Sequence, residues 1–180
     1  QENRRALEGL PFDALSPERW LLSRDGVDVK GLERVALTGL QRGEPVLVLA
    51  TAFALVRLLD QIGEKRVPLP AGSVVMQTGG FKGRSRVVSA TELRTRVAAA
   101  FVIDPRRVVG EYGMTELTSQ LYEGCQPGAA WSGPFGEYLE PPWLRVIAVD
   151  AVALEPVAEG DEGAARVAPR ARALSIARST

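Results

Sequence analysis

The chain has 180 residues, with 22 basic and 22 acidic side chains, one cysteine and no histidine. That length allows a domain with a sizeable core, and the balanced charge excludes binding to nucleic acid or to an anionic membrane through bulk charge. The lack of histidine excludes Ser-His-Asp and Cys-His catalysis, and a single cysteine excludes an internal disulfide. The cysteine usage fits a reducing cytoplasm, and no apolar run is long enough to span a bilayer, so we expect a cytoplasmic protein.

The first half of the chain predicts alternating helices and strands. Val29–Leu40 has the apolar spacing of an amphipathic helix, and Val46–Ala50 is a continuous apolar run of strand length. Such a run predicts a strand that is covered on both faces, as in a parallel sheet. Thr51 is placed to cap a second helix, in which apolar residues keep helical spacing up to Ile62.

The same pattern repeats after a break rich in proline and glycine. Ser73–Gln77 is a second predicted strand, and Ser89 with Glu92 has the spacing of a capping box before the helix Thr91–Phe101. Arg107–Gly110 is a third predicted strand. Strands that alternate with helices in this way predict an α/β fold, with a mainly parallel sheet flanked by helices.

The rest of the chain has a different character. Met114–Tyr122 is predicted to be a short helix, and a loop rich in glycine and proline follows up to Pro142. Leu144–Val149 alternates as a strand does, and the turn residues after it predict a C-terminal end rich in β-hairpins. We therefore assign residues 1–163 to one domain and residues 164–180 to an irregular or disordered tail.

Three loops of this predicted fold follow strands, and ligands of an open parallel sheet bind beyond the carboxyl ends of its strands. The loops are Thr51–Phe53, Thr78–Gly83 and Glu111–Glu116. If the three strands are neighbours, these loops lie on one rim of the sheet. We therefore predict one cleft that brings together glycines, basic side chains, a tyrosine, threonines and carboxylates.

The middle loop contains a pair of glycines followed by basic residues. Without a Cβ, the backbone of Gly79-Gly80 can approach a flat ligand closely, although a simple turn is the more common explanation of an isolated pair. Lys82, Arg84 and Arg86 come next. They fit either a phosphate-binding cluster or a solvated basic turn.

The last loop carries the stronger signal. Tyr112 at a strand end can stack on a purine, and Thr115 at a helix start can donate its hydroxyl to a phosphate. Glu116 can hold magnesium, a cation that prefers oxygen ligands. The structural alternative is that Thr115 only caps a helix and Glu116 is only a favourable acid in its first turn.

These two loops resemble those of the adenylate-forming enzymes, which include acyl-CoA synthetases, luciferases and the adenylation domains of peptide synthetases. The string Tyr-Gly-Met-Thr-Glu at Tyr112–Glu116 is similar to their core motif. The longer strings Val75–Arg86 and Glu111–Gln120 resemble the acyl-protein synthetase branch, the LuxE-type long-chain-fatty-acid ligases. Turns in residues 154–163 resemble the hairpin that follows the motif, so the likeness runs roughly from Gly43 to Gly163.

The resemblance implies that the chain uses ATP and Mg²⁺ to activate a carboxylic acid, in the narrower branch a fatty acid, as an acyl-adenylate. The acyl group then passes to a thiol of an acceptor protein. The implied nucleotide-binding residues are Gly79, Gly80, Phe81, Tyr112, Gly113 and Thr115. Within this set the glycine loop backs the adenine and Tyr112 stacks on it. Thr115 contacts the α-phosphate, and Glu116 helps to bind magnesium, which makes these two the implied catalytic residues.

Three parts of such enzymes are not found: the upstream phosphate loop, the ribose-binding aspartate, and the small C-terminal domain with its catalytic lysine. Because catalysis depends on stabilising charge on the α-phosphate, we expect the chain, which starts at Gln1, to be a ligase fragment or degraded relative with little activity alone. The alternatives are a sister ligase that uses coenzyme A or another small acceptor, and a non-catalytic nucleotide-binding or partner-docking module. We do not expect Cys125 to be the acyl acceptor, since the family's acceptor cysteine lies nearer the end of a longer chain.

Overall fold

A computed structural model of the chain describes residues 19–23, 26–79, 88–113, 119–124, 134–158 and 163–169. The helices are α1 (Val29–Arg42), α2 (Ala52–Ile62) and α3 (Ala90–Phe101). The strands are β1 (Leu47–Thr51), β2 (Val74–Thr78), β3 (Val108–Tyr112), β4 (Leu121–Glu123), β5 (Tyr138–Leu139), β6 (Leu144–Val149) and β7 (Ala164–Pro169). The chain divides into two compact units, Gln1–Val109 and Gly110–Thr180.

The helices of the first unit begin and end at residues that the sequence signals. Thr51 Oγ1 accepts a hydrogen bond from the backbone N–H of Ala54 at 3.2 Å, and Ser89 Oγ accepts one from Glu92 at 3.1 Å. Helix α1 ends at Gly43, whose φ of 67° lies in the left-handed region that favours glycine. These contacts confirm the predicted helices and caps, with boundaries shifted by one or two residues.

The core of the first unit lies between the helices and one face of the sheet. Strands β1 and β2 are parallel, in a register that runs from Leu47 opposite Val74 to Thr51 opposite Thr78. Val75 of β2 points into the core, where it is as completely buried as Leu55 of α2 and Phe101 of α3. The predicted α/β class is therefore confirmed, because helices cover a sheet whose first two strands are parallel.

The opposite face of β1 is open. Leu47 and Leu49 are 60% and 62% exposed, whereas Val48 and Ala50 between them pack against the core. The prediction that this run is covered on both faces is therefore wrong for the structure described here. The physical reason is that the helices cover only the face to which Val48 and Ala50 point, and successive side chains of a strand alternate between faces.

The second unit begins inside β3 and continues as an antiparallel meander. The five-stranded sheet has the order β1-β2-β3-β4-β5, and it is mixed because β3–β4 and β4–β5 are antiparallel. Tyr112 lies opposite Leu121, and Tyr122 lies opposite Leu139. Residues 121–123 are therefore a strand, where a helix over Met114–Tyr122 is predicted, because their backbone groups pair with two neighbouring strands. Residues 114–118 lie outside the described part of the chain.

Strands β6 and β7 form a separate antiparallel pair, in a register from Leu144 opposite Pro169 to Val149 opposite Ala164. Residues 164–169, which are predicted to be irregular, thus form a strand, because β6 offers a partner along its whole length. After β6, Asp150 Oδ1 accepts hydrogen bonds from the backbone of Val152 and Ala153. The bonds from Ala153 and Val152 lower the pKa of the Asp150 carboxyl.

In the described residues, no helix combines the length and the apolar character that crossing a membrane requires.

Candidate functional site

Two of the three predicted loops begin at neighbouring strand ends. Thr51 and Thr78 are in register at the ends of the parallel strands β1 and β2, so Ala52, where α2 begins in place of the predicted loop, and Gly79 follow the same edge of the sheet. Gly79 has a φ of +68°, a conformation that side chains with a Cβ rarely adopt. Apart from the neighbours of Gly79 in the chain, no atom of the described residues lies within 4 Å of the position that a Cβ would take there.

The structure describes only part of the predicted nucleotide-binding set. Gly80, Phe81, Thr115 and Glu116 lie outside the described residues, as do the basic cluster and Cys125. That Gly79 and Tyr112 line one cleft stays a prediction. Among the described residues, no three acidic or cysteine side chains are grouped so that they could hold a metal ion.

Gly113 is described, and its lack of a side chain has a local use. A Cβ at Gly113 would lie 2.5 Å from Glu111 Oε1 and 3.2 Å from Gln120 Cγ. The glycine, two residues before the predicted phosphate-binding residue Thr115, therefore makes room beside the backbone for the carboxylate of Glu111. A larger residue would have to displace this flexible carboxylate.

The strand register of the second unit places Tyr112 on a face with several functional groups. Opposed residues of antiparallel strands share a face, and side chains alternate along each strand. Because Tyr112 lies opposite Leu121, and Glu123 lies opposite Tyr138, these rows fall on one face. The residues that share this face are Gly110, Tyr112, Leu121, Glu123, Tyr138 and Glu140. Glu111, Tyr122 and Leu139 lie on the other.

This face borders a pocket of about 270 Å³. Its lining residues are Tyr112, Leu121, Tyr138, Glu140 and Val146. Tyr112 and Tyr138 are 37% and 40% exposed, so both rings offer surface to a ligand, whereas Leu121 is buried. Glu140 Oε1 accepts a hydrogen bond from the backbone N–H of Val146 at 2.9 Å. That bond ties the strand carrying Val146 to the residue after β5. The pocket thus combines two aromatic rings and two aliphatic side chains with one carboxylate at its rim.

A buried carboxylate lies on the same face of the sheet. Glu123 is only 5% exposed, and its two oxygens accept hydrogen bonds from different segments of backbone. The N–H of Gly110 donates to Oε2 at 2.5 Å, and the N–H of Gly136 donates to Oε1 at 2.7 Å. Glu123 therefore connects β3 with the turn that leads into β5, which satisfies the rule that a buried charge must be hydrogen-bonded.

The sequence reasoning missed Tyr138 and Glu140 because it predicts a loop up to Pro142, and it missed Glu123 because it predicts no strand at residues 121–123. One signal was present. A glycine inside a strand, as at Gly110, marks a position where another group approaches the backbone closely. Here the approaching groups are the side chains of Tyr138 and Glu123.

Comparison of the sequence with known protein families gives no match, and comparison with curated proteins gives none either. Among solved structures, the crystal structure of the ATP-bound RpMatB-BxBclM chimera B1 is similar to this chain, with a TM-score of 0.50 and 16% sequence identity. The likeness covers 76% of this chain and 24% of that one, so this chain spans about a quarter of the length of its structural neighbour. At this identity the similarity supports the shared fold alone.

Proposed function

We propose that this chain holds the nucleotide-binding part of an adenylate-forming ligase, which activates a carboxylic acid with ATP. The observation that carries the proposal is the position of Tyr112, the tyrosine of the motif. It ends β3 with its ring partly exposed, and the ring lines a pocket. The fold shared with an ATP-bound protein supports the same conclusion.

The reaction that we propose has two steps. A carboxylate oxygen of the acid attacks the α-phosphorus of ATP, and pyrophosphate leaves with the bonding electron pair, which gives the acyl-adenylate. A thiolate then attacks the acyl carbon, and AMP leaves. Thr115 would donate to the α-phosphate, and Glu116 would hold the magnesium ion that offsets the phosphate charge.

The substrate and acceptor follow from the narrower resemblance. The strings Val75–Arg86 and Glu111–Gln120 are similar to those of LuxE-type ligases, which favours a long-chain fatty acid as the substrate and a protein thiol as the acceptor. A ligase that uses coenzyme A or another small thiol would share the same first step. The two therefore differ only in the thiol that attacks the acyl-adenylate.

The pocket beside Tyr112 suits one ring system. Its volume of about 270 Å³ is below the roughly 300–1,000 Å³ of sites for drug-sized ligands. A purine base would therefore occupy the pocket while the ribose and the phosphates extend beyond it. The aliphatic side chains of Leu121 and Val146 would contact the base through dispersion.

Calorimetric titration of the 180-residue chain with AMP and ATP tests the proposal. Base stacking on an aromatic side chain contributes about 1–3 kcal/mol, so Tyr112→Ala should weaken binding roughly five- to a hundredfold. Tyr112→Phe keeps the ring and should reduce the affinity much less. Tyr122→Ala is the matched control, since Tyr122 lies on the opposite face of the same sheet.

Two further substitutions test the motif assignments on their own terms. Thr115→Val should weaken the binding of AMP more than that of adenosine, because only AMP carries a phosphate. Glu116→Gln should weaken the binding of ATP mainly when magnesium is present. If a folded Tyr112→Ala variant binds ATP as tightly as the parent, the stacking role is wrong and the proposed function loses its main support.

A further inference from the structure

The pocket contains a second tyrosine, which the motif does not include. The ring centroids of Tyr112 and Tyr138 are 6.3 Å apart and the ring planes meet at 66°, an edge-to-face arrangement. Such pairs are favoured because the positive edge of one ring meets the negative face of the other. Tyr138 therefore restricts the orientations that are open to Tyr112.

The turn that leads to Tyr138 is bonded to the buried carboxylate of Glu123. This turn contains Gly136, whose φ of +86° favours glycine and whose N–H donates to the buried carboxylate of Glu123. The same carboxylate accepts from Gly110 on β3. Glu123 therefore sets the distance between the strand that carries Tyr112 and the turn that leads to Tyr138.

Gly110 allows the Tyr138 side chain to reach across to β3. A Cβ at Gly110 would lie 2.5 Å from the Tyr138 hydroxyl oxygen and 3.0 Å from Glu123 Oε2, which is too close for a real side chain. The hydroxyl of Tyr138 thus lies against β3 two residues before Tyr112. The far end of Tyr138 lies at this point, and its ring lies beside the ring of Tyr112.

We propose that Tyr138 is a positioning residue, which holds the ring of Tyr112 in the orientation that stacks on the base of the nucleotide. The base-binding site is then built from two tyrosines, only one of which belongs to the motif. A ring that is already held loses less freedom when a ligand binds, and this strengthens binding. The ligand in this inference rests on the proposed function, whereas the orientation of Tyr112 can be measured without any ligand.

The orientation is tested by ¹⁹F NMR of the full chain with 3-fluorotyrosine at position 112. Tyr138→Leu should shift or broaden the signal, because the neighbouring ring is removed, and Tyr138→Phe should leave it close to that of the parent. Tyr122→Leu, on the opposite face, should change nothing. Nuclear Overhauser contacts between the two rings in the parent chain provide a test that needs no folded variant, and their absence would overturn the inference.

The contribution of Tyr138 to nucleotide binding is tested by titration with AMP. Ordering a mobile side chain on binding costs roughly 0.5–1.5 kcal/mol, so loss of the Tyr138 ring, which leaves Tyr112 free to move, should weaken AMP binding about two- to tenfold. The Tyr138→Phe variant, which keeps the ring, should bind AMP as tightly as the parent chain does. If Tyr112→Ala weakens binding while folded Tyr138→Leu does not, the positioning role is wrong and the proposed function stands. If the parent binds no AMP, the proposed function and the stacking role both fail, and the fluorine signals alone decide whether Tyr138 orients Tyr112.

Discussion

The two units of the chain are stabilised in different ways. In the first unit, helices and strands bury a continuous apolar cluster that extends from Leu32 to Val108. In the described residues of the second unit, the buried apolar side chains are Leu121, Leu144 and Val149. That unit is instead organised around the carboxylate of Glu123, which binds the backbone at two places.

The difference shows what kind of change each unit tolerates. A core stabilised by burial accepts swaps that keep its volume but loses stability when side chains are truncated. A unit organised by a buried carboxylate depends on single hydrogen bonds, since the loss of one partner leaves a buried group unsatisfied. The pocket belongs to the second kind of unit, so its shape depends on few side chains.

The largest effect should come from truncation in the first core. Phe101 is completely buried at the end of α3, and replacing such a phenylalanine by alanine costs about 3–5 kcal/mol. Phe101→Ala should lower the free energy of unfolding of the first unit by this amount, as measured by hydrogen exchange of α2 and β2. Leu40→Ala, at an exposed position of α1, should change it by less than about 0.5 kcal/mol.

A smaller but more local effect is expected from Glu123→Ala. The substitution leaves the N–H groups of Gly110 and Gly136 without their acceptor, at a cost of about 2–3 kcal/mol. Hydrogen exchange should accelerate in residues 134–139 and stay unchanged in α2. Glu137→Ala removes an exposed carboxylate from the same segment and serves as the control. Equal acceleration in both units would contradict the comparison.

The smallest change in the free energy of unfolding should come from residues with strained backbone, and it should be similar in both units. Val102 in the first unit and Leu154 in the second have positive φ angles of 55° and 59°, which are unfavourable for side chains with a Cβ. Replacing either residue by glycine should raise the free energy of unfolding by about 0.5–1 kcal/mol, because relief of strain exceeds the entropy lost by glycine. Urea titration of the two variants checks this. Destabilisation in either unit would show that the side chain contributes packing that outweighs its strain.

The helices of the first unit could be predicted because their signals are local. Thr51 and Ser89 cap helices through contacts with residues only three positions away. The exposure of Leu47 and Leu49 could not be predicted, because an apolar run does not show whether a distant element covers it. The α/β class was predictable because it follows from the local alternation of helices and strands. The antiparallel second half of the sheet was not, because it depends on pairing between distant residues.

The candidate site was predictable only where it follows a motif. Tyr112 could be placed at the end of a strand from its own neighbourhood. Tyr138 and Glu123 could not be placed, because Glu123 lies 13 residues from both Gly110 and Gly136, and the antiparallel register decides which of them meet. A glycine-rich stretch between them carries no periodic pattern from which that register could be inferred.

The order of these contacts along the chain has a consequence for synthesis. The apolar cluster is complete at Val108, whereas the pocket needs residues up to Val146, which follows 38 positions later. At roughly 5–20 residues per second, a ribosome takes roughly two to eight seconds to add them, while collapse of a chain of about 100 residues takes on the order of 10–100 μs. The nascent chain therefore has time to bury its first core before the pocket beside Tyr112 exists. If this pocket binds the base of a nucleotide as proposed, that contact can form only at the later step, the folding of the second unit.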